Sequence, residues 1–307
     1  MKARPAALAV LALAVLVGGC SPSPPGFPRG RLNHVWMSRE RCYGSCPVYM
    51  VQILRDGRVI YEGQDNVVVI GRHEGRASPE QMATLLAAVK AADFYRLEDA
   101  YYGAVIHSVT RRMSITVGDD TRMVSETSGE AGGGMPKAVL ALEAAIDEAA
   151  GTRRWVKGDA STLPALRAEG FDFASDQAGE MLRQSLRDGP SDLVQALIEG
   201  GALKTQEDRD FALRSVATCR RDTLIGPLLK AGARVDARGD GDETALLKAA
   251  GDSHAYCDQA GDGVATVRAL LAAGANPKAM DGSGATPLRV ADDGDIKNLL
   301  IAAGARP

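Results

Sequence analysis

The sequence predicts an α+β domain, an antiparallel sheet with two helices, followed by an all-α half made of recurring helix pairs. Three observations carry that prediction. Between residues 31 and 150, short β-branched runs alternate with turn-forming clusters and are accompanied by two helix-period stretches. From about residue 160 to 307, a leucine-rich phrase ending in Gly-Ala recurs at near-constant spacing. Ahead of both, an apolar run too short for an ordinary transmembrane helix ends at Cys20.

The chain has 307 residues, which suits two folded units plus a targeting segment. With 45% hydrophobic and 24% charged residues, it is neither wholly disordered nor a polytopic membrane protein. A net charge of −3 supplies no cationic surplus for a phosphate backbone, which excludes nucleic acid as the main partner. Aromatics make up 5%, a profile better suited to closely stacked helices than to a deep aromatic pocket. Five cysteines are an odd count, so one of them needs a role outside a disulfide pair.

Lys2 and Arg4 precede the apolar run Ala6 to Val17, the layout of an export signal. Its end, Val17-Gly18-Gly19-Cys20, resembles the bacterial lipobox, so residues 1–19 read as a lipoprotein signal peptide. The resemblance implies that Cys20 is acylated and becomes the first mature residue, holding the chain to a lipid bilayer. Ser21 in place of an aspartate favours the outer membrane, facing the periplasm. Residues 20–30 continue as a Pro-rich tether that cannot join a helix or a central strand.

In the segment 31–150, strands are expected at His34 to Ser38, Val48 to Leu54, Val59 to Glu62 and Val67 to Ile70, broken at Arg55-Asp56-Gly57 and Gln64-Asp65-Asn66. Ser78-Pro79-Glu80-Gln81 opens a helix with a capping serine and a proline in the first position. Strands at Arg112 to Val117 and Arg122 to Glu126 flank the turn Gly118-Asp119-Asp120, and a last helix runs from Pro136 to Ala149. His34, His73 and His107 have no partners at metal-ligand spacing, and the glycines from Gly129 to Gly134 lack the lysine of a phosphate loop.

The most specific feature of this segment is Cys42-Tyr43-Gly44-Ser45-Cys46-Pro47-Val48-Tyr49. It resembles an uncharacterised family of exported bacterial domains with a Cys-x-Gly-x-Cys-Pro-x-Tyr signature, over roughly Val35 to Ala149. The family implies a boundary and no activity. Two cysteines around Gly44 can close a small loop in an oxidising compartment, a staple of about 2 kcal/mol in the chain-entropy model. A redox-active pair is the rival reading, against which stand the spacing and the lack of a helix start after Cys42.

The C-terminal phrase reads LIEGGA at 197–202, LLKAGA at 228–233, LLAAGA at 270–275 and LIAAGA at 300–305. Its partner half appears as Thr244-Ala-Leu-Leu-Lys-Ala-Ala250 and Thr286-Pro-Leu-Arg-Val-Ala291. Together these resemble the ankyrin repeat, which implies an all-α ankyrin-repeat solenoid of a half repeat plus four, with a face that binds protein. The glycines Gly201, Gly232, Gly274 and Gly304 suit the left-handed residue after a helix. The sequence departs from the family in having Arg183, Arg214, Leu247 and Arg289 where its histidine stands, and in Pro227, which should kink or shorten its helix.

Measured on those repeat landmarks, Cys219 ends one first helix and Cys257 lies in an insertion at the same edge of the next repeat, which implies the pairs Cys42–Cys46 and Cys219–Cys257. A zinc site from His254, Cys257 and Cys219 is the rival, and it lacks a visible fourth ligand. The expected function is therefore a non-catalytic envelope lipoprotein that binds a protein partner as scaffold or inhibitor, with no cofactor, no metal and no catalytic residues. The alternatives are a redox or other enzymatic role centred on Cys42 and Cys46, and binding of an envelope component by the α+β domain.

Overall fold

The computed structural model describes residues 26–42, 44–103, 109–128, 136–251, 257 and 260–306. Cys20 and the signal segment, His107, His254 and the glycine loop at 129–134 lie outside the described residues.

Seven strands form one sheet: β1 (Leu32–Arg39), β2 (Val48–Leu54), β3 (Arg58–Asp65), β4 (Gly71–Arg76), β5 (Ala100–Tyr102), β6 (Val109–Val117) and β7 (Asp120–Ser128). Their order is β4-β3-β2-β1-β6-β7-β5. The first three follow the expected meander, β4 extends it from residues the sequence did not mark as a strand, and β6 and β7 make the expected hairpin around Gly118. Alternation sets the faces. Val35, Met37, Val51, Ile53, Tyr61, Met113 and Ile115 are buried on one side, while Trp36, Gln52 and Ser114, in register with one another, lie on the other. Helices α1 (Pro79–Ala91) and α2 (Lys137–Ala150) pack on each other and bury Leu85, Val89, Leu142 and Ile146 in the same core. Each such side chain contributes about 1.5–3 kcal/mol relative to exposure. Ser78 caps α1 through the Gln81 N–H, and the Gln81 side chain answers on the Ser78 N–H, so α1 starts where its sequence places it.

Two expectations about this sheet are corrected. It is mixed, not purely antiparallel, because the short β5 pairs in parallel with β7. Val67 to Ile70 is not a strand: Val68 and Val69 instead donate backbone hydrogen bonds to Val156 and Trp155 at 3.0 and 2.8 Å. Those valines are buried against a neighbouring segment, so their β-preference is met outside a ladder, and the edge strand falls one segment later in Gly71–Arg76.

The C-terminal part is helical: α3 (Arg153–Val156), α4 (Thr162–Ala168), α5 (Asp176–Ser185), α6 (Ser191–Glu199), α7 (Gln206–Thr218), α8 (Asp222–Lys230), α9 (Ala245–Ala250), α10 (Gly263–Ala272), α11 (Pro287–Val290) and α12 (Gly294–Ala302). Helices α6, α8, α10 and α12 pack in succession, and α7, α9 and α11 likewise. The expected all-α ankyrin-repeat solenoid is not what this part shows. The leading helices α5, α7, α9 and α11 have 10, 13, 6 and 4 residues, with no common unit. Nor is it a separate stack, since one continuous core runs from the sheet through Trp155 and Leu166 into the helices. The Gly-Ala phrase specifies only a helix end: Gly201, Gly232, Gly274 and Gly304 do take φ near +90°, but that local geometry leaves the length of the partner helix free. Pro227 neither ends nor shortens α8, which continues to Lys230.

The sheet and the helices meet at Trp155. Its ring stacks on Tyr61 and on His73, at 6.2 and 4.9 Å between centroids. His73 Nδ1 lies 2.7 Å from a Glu169 carboxylate oxygen and Nε2 lies 3.1 Å from the Ile70 carbonyl.

Candidate functional site

Arg39 ends β1 and Tyr49 stands near the start of β2, directly opposite it in the ladder. The chain between them carries the Cys42–Cys46 bridge, so these two residues form the base of the loop. Both reach Asp147 on α2: Tyr49 donates its hydroxyl to Oδ1 at 2.8 Å and Arg39 donates Nη2 to Oδ2 at 2.8 Å. Thr152 Oγ1 adds a third donor to Oδ1 at 2.9 Å. Burial, with the Asp147 charge beside it, holds the Tyr49 hydroxyl well above its ordinary range, so it stays a donor.

Deeper under the sheet, Arg111 on β6 donates to Glu126 on β7 at 2.9 Å. Glu126 is fully buried. Glu143 on α2 lies between the two arginines, 3.6 Å from Arg39 Nη2 and 3.6 Å from Arg111 Nε. Burial pushes its carboxyl above the ordinary range, against the lowering effect of Arg39 and Arg111. Among the described residues its Oε1 has no hydrogen-bond partner. With Asp147 shared by Arg39 and Tyr49, and Glu143 set between two arginines, the cluster clamps the loop base in a region where charge is expensive unless paired.

The described cysteines form two bridges, Cys42–Cys46 and Cys219–Cys257. Cys46 is buried, Asn66 Nδ2 donates to its carbonyl at 3.3 Å, and Arg41 just before the loop pairs with Asp65 at 3.2 Å. Cys219 is fully buried at the end of α7, and its carbonyl accepts the Gly261 N–H at 3.0 Å, which draws the far end of the inserted loop to the same place. With both sulfurs bonded, the pair Cys219 and Cys257 cannot supply thiolates to a metal. Among the described residues no group of three or more His, Cys, Asp or Glu is placed to hold one.

On the helical half, Phe211, Arg214, Ser215 and Thr218 share one face of α7 at helical spacing. They line an open groove of about 230 Å³, closed on the other side by Glu243 and by Lys248 of α9. Glu243 and Lys248 pair with each other. Phe211 is 47% exposed, and Arg214 folds its guanidinium over Gly239. The groove sets an aromatic ring beside charges of both signs, and the sequence reading did not single it out: its residues lie on two helices and a connecting loop, and only helix pairing brings them together.

Residues 33–150 match a family described as a domain of unknown function, DUF6438. The match takes in the sheet with α1 and α2, which supports an uncharacterised domain in this segment. It ends before α3, and no ankyrin family matches the helical residues beyond it. No curated protein matches the chain.

Proposed function

We propose that the chain is an exported, lipid-anchored envelope protein whose helical half binds a protein partner and acts as a scaffold or inhibitor. The observation that carries this is the Phe211 groove: a half-exposed aromatic ring set among Arg214, Lys248 and Glu243 is the make-up of an interface anchor, an apolar centre with charge of both signs at its rim. The two disulfides support an oxidising compartment, in line with the lipobox-like Cys20 ahead of the Pro-rich tether.

A photoreactive residue placed at Phe211 in intact cells tests the reading. One discrete crosslinked protein is expected from that position and none from Gln195, an exposed residue of α6. Loss of specificity, with the same products from both positions, or no product at all from Phe211, rules it out.

A further inference from the structure

At the end of the sheet where the described chain begins, a second groove of about 1000 Å³ runs between the start of β1, the β2–β3 turn and the first turns of α1. Its apolar floor is Leu32, Met82 and Leu86, and three arginines rim it: Arg31, Arg55 and Arg76. All three are exposed, and Arg31 and Arg55 form no ion pair among the described residues. The acidic residue in the lining, Asp56, already faces Arg58 at 3.8 Å and accepts the Arg58 backbone N–H. The groove is thus apolar below and cationic at its lip.

The chain reaches this groove from a fixed direction. Phe27 packs edge-on against Tyr95 at 5.5 Å, and the Lys90 ammonium sits 5.6 Å from its ring, so the first described residues are pinned beside α1. Five residues separate Cys20 from Gly26, a reach of at most about 20 Å over six peptide steps. An anchor that short holds this end of the domain against the bilayer, and the end so held is the one with the arginine-rimmed groove.

From this placement we propose that the groove docks on the surface of the membrane that holds Cys20, with Arg31, Arg55 and Arg76 on the phosphates of anionic phospholipids and the apolar floor over the adjoining acyl region. The proposal rests on the lipid-anchor reading of Cys20. It assigns the α+β domain a membrane-facing end and leaves the Phe211 groove free for a partner.

The test uses the full mature chain from residue 20 with Cys20→Ala, so that binding owes nothing to acylation. Sedimentation with phosphatidylglycerol vesicles is expected to carry the protein down, with binding that fades as NaCl rises and is absent on phosphatidylcholine. The triple variant Arg31→Glu, Arg55→Glu, Arg76→Glu is expected to bind at least about 100-fold more weakly. If the triple variant melts early, Arg55→Glu alone decides, with an expected loss of about fivefold or more. Equal binding to both vesicle types, binding to neither, or unchanged binding by the deciding variant overturns the proposal. The mass of residue 20 in the native protein reports separately on the anchor.

Discussion

Tyr49 donates its hydroxyl to Asp147 across 2.8 Å, 98 residues further along the chain, and by that bond the foot of the Cys42–Cys46 loop is tied to α2. Arg39, opposite Tyr49, binds the other oxygen of the same carboxylate. The two substitutions that break this clamp should differ in size. Tyr49→Phe removes one donor and leaves Asp147 with Arg39 and Thr152, a loss of about 1–2 kcal/mol. Asp147→Ala leaves the tyrosine hydroxyl and the guanidinium without their acceptor together, a loss of about 3–5 kcal/mol. Urea unfolding of the two variants measures both, and equal losses would count against a shared clamp.

Glu143 gives the domain a pH dependence whose sign follows from its surroundings. Burial raises the folded carboxyl above its ordinary 4.5, so the folded chain binds this proton more tightly than the unfolded chain does. The resulting stabilisation is present in full below the ordinary carboxylate range and is lost as pH rises through the folded value. Glu143→Gln keeps the shape and removes the titration. Unfolding free energies at pH 5 and pH 7 should therefore fall less with pH in the variant than in the parent; parallel pH profiles would show that Glu143 does not titrate in this range.

Both bridges close loops, and loop length orders their contributions. Cys42–Cys46 spans four positions and Cys219–Cys257 thirty-eight, so chain entropy assigns them about 2 and about 4 kcal/mol. Paired Cys→Ala replacement at 219 and 257 should lower the melting temperature more than replacement at 42 and 46. The reverse order would show that the short loop is held by more than its own closure, with the Arg39–Asp147–Tyr49 clamp the first place to look.

What could be read from the sequence follows how local the cause is. Ser78 with Pro79 and Gln81 marks the start of α1 within a few residues, and Arg55-Asp56-Gly57 marks the β2–β3 turn the same way. Strand β4 was hidden because Gly71 and Gly75 give it little β-preference and its pairing with β3 supplies the structure. Strand β5 was hidden because three residues carry no readable period, and its parallel partner β7 lies more than twenty residues away. The charge cluster was out of reach for a similar reason: Arg39, Arg111, Glu126 and Glu143 lie on four different elements and show no shared pattern until the sheet order places β1 beside β6 and α2 beneath them. The cysteine pairs were readable from the even count left after Cys20 and from the Gly-Ala landmarks, although those landmarks define only helix ends and not a regular solenoid.

The helical half should fail first at Arg221, a buried cation that binds backbone. Its Nη1 donates to the Ser185 and Leu186 carbonyls at 2.9 Å each, and its Nη2 donates to the Gly189 carbonyl at 2.5 Å and to Ser191 Oγ at 3.0 Å. These acceptors belong to the end of α5 and the turn into α6, where the Ser185 carbonyl also accepts the Gly189 N–H at 2.9 Å and the last helix carbonyls lie beyond the helix's own ladder. Its neighbour Arg220 works in the opposite direction, donating to the Gly251 carbonyl at 3.0 Å, so two consecutive arginines beside Cys219 brace the helix pairs before and after them. Arg221→Met retains the bulk and takes the guanidinium from the Leu186 and Gly189 carbonyls, while Ser185 keeps the Gly189 N–H, a loss of about 2–4 kcal/mol by the usual cost of unsatisfied buried polar groups. Arg221→Lys keeps the charge but cannot present a planar fork to four acceptors at once, and should recover less than half of that loss. Hydrogen exchange at residues 186–189 should quicken in both variants, because that turn has lost its tie to α8. A methionine variant within 1 kcal/mol of the parent would mean that the carbonyls find water in place of the guanidinium, and that the brace lies in Cys219 and Arg220 alone.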